Sequence, residues 1–110
     1  MKWYEDYHTV LQKFATQGES MDETEFYFAS DRQRELHCIG CIKKFAKPYW
    51  AGYCDIPDGC EFSTAREMFE AKIFDKLSIK DRWHELVMVN IGGIPADDYK
   101  PAIVKRLPKD

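Results

Sequence analysis

No window of this 110-residue chain approaches the roughly 18 uninterrupted apolar residues that a membrane-spanning helix needs. The opening run Met1-Lys-Trp-Tyr-Glu-Asp6 carries acids where a signal peptide would be apolar. The expected compartment is therefore the cytoplasm, where thiols stay reduced. A basic excess is missing as well: 16 Lys and Arg stand against 19 Asp and Glu, a net charge of −3. Nucleic-acid phosphates and anionic membranes both select for clustered basic charge. Neither nucleic acid nor membrane is expected as a partner. The chain also lacks repeats, low-complexity tracts and linkers, so residues 1–110 read as a single globular domain.

Catalytic signatures are equally sparse. Ile91-Gly-Gly-Ile94 has neither the lysine nor the following helix of a phosphate-cradling loop. Nothing resembles the nucleophile elbow of a serine hydrolase. His8 falls off the apolar stripe of the first helix, and His84 has no partner nearby in sequence. Acid–base chemistry needs such groups held together in a pocket.

What is present is an ordinary globular balance, 45 % hydrophobic and 32 % charged, with aromatics high at 15 %. Residues 2–16 read as an amphipathic helix, because Trp3, Tyr4, Tyr7, Val10, Leu11 and Phe14 recur at spacings of three and four. Lys2, Glu5, Asp6, Gln12 and Lys13 fall on the wet side, and Gly18 is placed to stop the helix. Strands are expected over residues 24–29, 34–42, 49–54 and 86–91. Gly52 marks a close approach or a bulge in the third of them. Asp55-Ile-Pro-Asp-Gly59 is a turn, in which Pro57 presets φ and Gly59 tolerates positive φ. Thr64-Ala-Arg-Glu67 is a capping box opening a helix over 65–72. Ser78 and Asp81 offer a weaker cap for a short helix through Glu85. From about residue 94 the chain reads as an irregular tail. The resulting fold class is α+β: a mostly antiparallel four-stranded sheet with the N-terminal helix, a second helix and a short one packed on it.

The helix–three strands–helix order over residues 2–72 is similar to that of the double-stranded RNA-binding domain. Lys43-Lys-Phe-Ala-Lys47 resembles its basic signature. In that family the lysines open the last helix, whereas here they precede the third strand. The helix start Thr64–Glu70 is net acidic and repels phosphates. RNA binding is not implied.

Four cysteines invite a metal. Cys38-x2-Cys41 has the spacing of one zinc pair, but Cys54-x5-Cys60 is too wide for the second. The expectation is four reduced, metal-free thiols and no cofactor. The charged and aromatic residues of the central stretch point elsewhere. Tyr49, Trp50 and Tyr53 supply anchors, and Asp55, Asp58 and Glu61 supply an acidic rim, the chemistry of a protein-binding hot spot. The first expectation is a small non-enzymatic protein-binding module, of the inhibitor, immunity or complex-subunit kind. An exposed sheet edge leaves a homodimer open. One alternative is a small enzyme or ligand binder with a pocket near Trp50, Tyr53 and His37. Another is a zinc or thiol-redox domain built on Cys38 and Cys41.

Overall fold

The computed structural model of the protein describes residues 6–52 and 60–98. Helix α1 spans Tyr7–Gln17, and strands β1 (Thr24–Phe28), β2 (His37–Cys41), β3 (Tyr49–Ala51) and β4 (Glu61–Phe62) follow. Helix α2 (Ala65–Glu70), β5 (Leu86–Ile91) and β6 (Ile94–Pro95) complete the order. Among the described residues all strands join one antiparallel sheet in the order β4-β3-β2-β1-β5-β6. The architecture is α+β, as expected, but with six strands in place of four and a second helix of only six residues. The two additional strands are two residues long, too short to show the alternation by which a strand is read. Ile94 and Pro95 fall in what reads as tail, and pair with β5 across a Gly92-Gly93 turn in which both glycines have positive φ.

Asp6, expected on the wet side of α1, caps it: its side chain accepts from the Thr9 amide at 2.7 Å. Trp3 and Tyr4 lie outside the described residues. The stripe is real from Tyr7 onward, since Val10, Leu11 and Phe14 are buried and Tyr7 packs against the core. Lys13, assigned to solvent, is buried as well. The helix ends at Gly18 as expected, without the positive φ common at such ends. Gly18 keeps a right-handed conformation and leads into a 3-10 turn over Gly18–Met21. Glycine is needed there because a Cβ would sit 2.5 Å from the Cys41 sulfur.

Strand alternation decides what the sheet buries. Phe26 and Phe28 of β1, Ile39 of β2, Ala51 of β3 and Leu86 and Met88 of β5 point inward. They form one core with Val10, Leu11 and Phe14 of α1 and Ala65, Met68 and Phe69 of α2. Phe14 and Phe69 meet edge to face at 5.2 Å, a favoured aromatic geometry. Tyr49 also points inward, and its hydroxyl donates to the Phe14 carbonyl at 3.2 Å. Both helices therefore belong to one side of the sheet, and the opposite side is its outer face.

Helix α2 starts as predicted. The Thr64 side chain accepts from the Glu67 amide, and the Glu67 carboxylate accepts from the Thr64 amide. Ser78 and Asp81 form the same reciprocal pair at 3.0 Å each. The chain after them makes only a 3-10 turn, Trp83–Glu85, before β5 begins.

Candidate functional site

On β3 the inward turn of Tyr49 and Ala51 sends Trp50 to the outer face. Its indole lies across β2, directly over Gly40, its cross-strand partner. A Cβ at Gly40 would be 2.5 Å from two indole carbons and 2.1 Å from Asp22 Oδ1. That same carboxylate oxygen accepts the indole N–H of Trp50 and the backbone N–H of Cys41, both at 2.9 Å. The ring is thus fixed by a floor without a side chain and by one shared acceptor. It is half-buried, so part of its surface meets solvent.

Its neighbours on this face follow from register. Glu61 of β4 is directly opposite Trp50 and exposed. Glu25 of β1 pairs with Cys38 of β2, and Tyr27 lies two residues along, with the Arg34 guanidinium 5.5 Å from its ring. A bulge between Glu25 and Phe26 shifts the β1–β5 register, and the Glu25 carboxylate accepts from the Asn90 amide. The acidic character of the patch is felt by Cys38. Burial first, then the charges of Glu25, Glu23 and Asp22, push its thiol up to about 11.

That shift bears on the thiol-redox alternative. A reactive thiol is a thiolate stabilised by positive surroundings or a helix N-terminus. Cys38 and Cys41 are on a strand, and burial is the first cause that raises the pKa of each. Among the described residues no three His, Cys, Asp or Glu side chains converge as metal ligands. Cys38 and Cys41 are free, but Cys60 is disulfide-bonded, which corrects the expectation of four reduced thiols. A disulfide belongs to oxidising surroundings, so cysteine chemistry no longer supports the cytoplasm. Among the described residues no helix is long and apolar enough to cross a membrane.

Trp50 and His37, expected with Tyr53 at one pocket, are on opposite faces of the sheet, and Tyr53 lies outside the described residues. His37 pairs with Phe26 and points inward, into a box of Phe26, Phe28 and Phe74 with ring centroids 4.9–5.6 Å away. It lines a separate cleft of about 440 Å³ with Phe28, Phe74, Asp31, Glu35 and Arg82. Two of the charges there, Asp31 and Arg82, serve the fold. Asp31 accepts from the amides of Gln33 and Glu35, which holds its carboxyl below the usual range. Arg82 lies 3.7 Å over the Phe28 ring and is paired with Glu85.

Of the six residues assigned to binding, Trp50 and Glu61 come together on the outer face. Tyr49 turns to the helix side, and Tyr53, Asp55 and Asp58 lie outside the described residues. Asp22, Gly40, Glu25 and Tyr27 were missed. The close approach assigned to Gly52 occurs at Gly40; a Cβ at Gly52 would make only ordinary contacts of 3.7 and 4.0 Å. The available signal was a glycine in the strand preceding an aromatic one. No family model matches the chain, and no curated protein or solved structure matches it.

Proposed function

We propose that the protein is a non-catalytic binding domain that engages a protein partner through the outer sheet face centred on Trp50. The observation that carries this reading is the Trp50 indole, fixed over Gly40 by Asp22 and still partly exposed. A rigid aromatic with one wet face loses little freedom on binding, which is what makes tryptophan a frequent hot-spot residue. Glu61 and Glu25 flank it, so the partner presents basic residues around an apolar recess. Such rim charges act mainly on the rate of encounter. A homodimer through a sheet edge is the weaker reading: both terminal strands have two residues, and β6 ends in Pro95, features that blunt an edge.

The test is a photo-crosslinking side chain at position 61, used in source-cell extract to trap a partner that is then purified. Trp50→Ala should weaken its binding by about 30-fold or more, as truncation of a hot spot does. Glu61→Lys, a change at an exposed position, should slow association and flatten its salt dependence while the unfolding midpoint holds. Affinity and association rate unchanged in all variants would show that this face is not the binding surface.

A further inference from the structure

The net charge of −3 hides a segregation along the chain. From Leu36 to Cys54 there is no Asp or Glu, while Lys43, Lys44 and Lys47 fall within five residues. All three lysines fall in the turn that joins β2 to β3. The turn is closed by its own backbone: the Ile42 amide donates to the Pro48 carbonyl at 2.9 Å, and the Phe45 amide to the Ile42 carbonyl at 3.2 Å. Lys43, Lys44, Ala46 and Lys47 are exposed, and Phe45 is 50 % exposed, the largest fraction among the exposed large hydrophobic side chains described. The Lys44 ammonium is 5.6 Å from the Phe45 ring. Among the described residues none of the three lysines forms an ion pair with an acid.

We infer that the tip of the β2–β3 hairpin, Lys43 to Lys47, is a contact site for an anionic lipid surface. An aromatic ring suits the interfacial zone of a bilayer, and each lysine close to an anionic leaflet strengthens attachment about fivefold. The tip has the composition for this and lacks what other anionic partners ask for. Its three lysines are point charges on flexible stems, without the planar fork that fixes a phosphate or carboxylate in one geometry. A fluid surface demands charge and an apolar group, with no matching shape. The tip also projects from the end of β2 opposite to His37 and the cleft. The expectation of no membrane affinity rested on whole-chain charge, which averages this segregation away.

The experiment is sedimentation of the full chain with large unilamellar vesicles, in low and physiological salt. One set is phosphatidylcholine alone and the other is equimolar phosphatidylcholine and phosphatidylglycerol. The wild type should sediment with the anionic vesicles only, and less so as salt rises. Lys43→Gln/Lys44→Gln/Lys47→Gln should weaken binding about a hundredfold, three lysines at about fivefold each. Phe45→Ser should weaken it while keeping the salt dependence. All substituted side chains are exposed, and the unfolding midpoint of each variant verifies the fold. No sedimentation in low salt, equal binding to both vesicle types, or variants that bind like wild type would each overturn the inference. So would release of the vesicles by a single-stranded oligonucleotide that binds the tip more tightly than lipid.

Discussion

Asp22 fixes the orientation of the outer face with a single oxygen. Its Oδ1 takes the N–H of Cys41 and the indole N–H of Trp50 at 2.9 Å each, joining the turn after α1 to β2 and β3. Replacing it by alanine leaves two part-buried donors without their acceptor, which costs about 1–3 kcal/mol. Asn at this position keeps an oxygen acceptor, so Asp22→Asn should retain more stability than Asp22→Ala in urea titrations. The Trp50 indole proton should exchange with solvent faster in the alanine variant. Equal midpoints and equal exchange for both would show that the carboxylate does not hold the ring. At this scale the sequence was legible only where spacing is local. Thr64 and Glu67 are three residues apart and their capping box was readable. Asp22 and Trp50 are 28 apart, and nothing in a polar loop identifies the residue that will meet an indole. The inward direction of Tyr49 was equally hidden, because alternation gives two faces without saying which one the helices cover.

The elements that were misjudged are the short ones. α1 shows its period, β1 its strand-favouring residue types and β5 its apolar run, and each was placed to within a few positions at its described end. β4 and β6 exist because of their partners: Glu61 and Phe62 are strand-like by pairing with Trp50 and Tyr49, and Ile94 and Pro95 by pairing with Ile91 and Asn90. The hairpin between β5 and β6 is tied to the start of the fold by Thr24. This buried hydroxyl donates to the Met21 carbonyl at 2.6 Å and accepts from the Gly92 amide at 3.0 Å. The two turn glycines are therefore not equivalent. Both have positive φ, which costs a side chain about 1–2 kcal/mol. A Cβ on Gly92 would in addition lie 2.0 Å from the Ser20 carbonyl oxygen, whereas one on Gly93 meets nothing within 4 Å. Gly93→Ala should lose about the backbone cost alone, and Gly92→Ala clearly more. Thermal unfolding of the two variants side by side checks this; equal losses would mean that the turn moves away from the 3-10 segment without penalty.

Across the whole molecule, the segment before β5 is joined to the end of β1 by charge. The Glu85 carboxylate accepts from the amide and hydroxyl of Ser30, 55 residues away in sequence, and pairs with Arg82 at 3.0 Å. Arg82 also reaches the Ser30 hydroxyl at 3.2 Å and stacks on Phe28. The Arg82 hydrogen bond first, and those from Ser30 after it, hold the Glu85 carboxyl down to about 2 from an ordinary 4.5. Asp81 is held down to about 2 as well, first by Lys72 and then by the Ser78 amide. A carboxyl whose pKa is depressed by folding stabilises the fold fully above its unfolded value, and that stability is lost as pH falls through the folded one. The protein should therefore lose stability from about pH 4.5 down to about pH 2. The two carboxyls are separable by salt. The Lys72–Asp81 pair is solvated, with side chains 62 % and 34 % exposed, whereas Arg82 and Glu85 are 14 % and 18 % exposed. Screening acts strongly on the first and weakly on the second. Glu85→Gln should lower the urea midpoint at neutral pH in both low and high salt, and its curve should converge on wild type as pH approaches 2. Asp81→Asn should show its loss chiefly in low salt. A Glu85→Gln variant that runs parallel to wild type over the whole acid range would mean that the carboxyl is not held by Arg82 and Ser30, and that the tie between β1 and β5 rests on the Phe28 stack and the β-ladder alone.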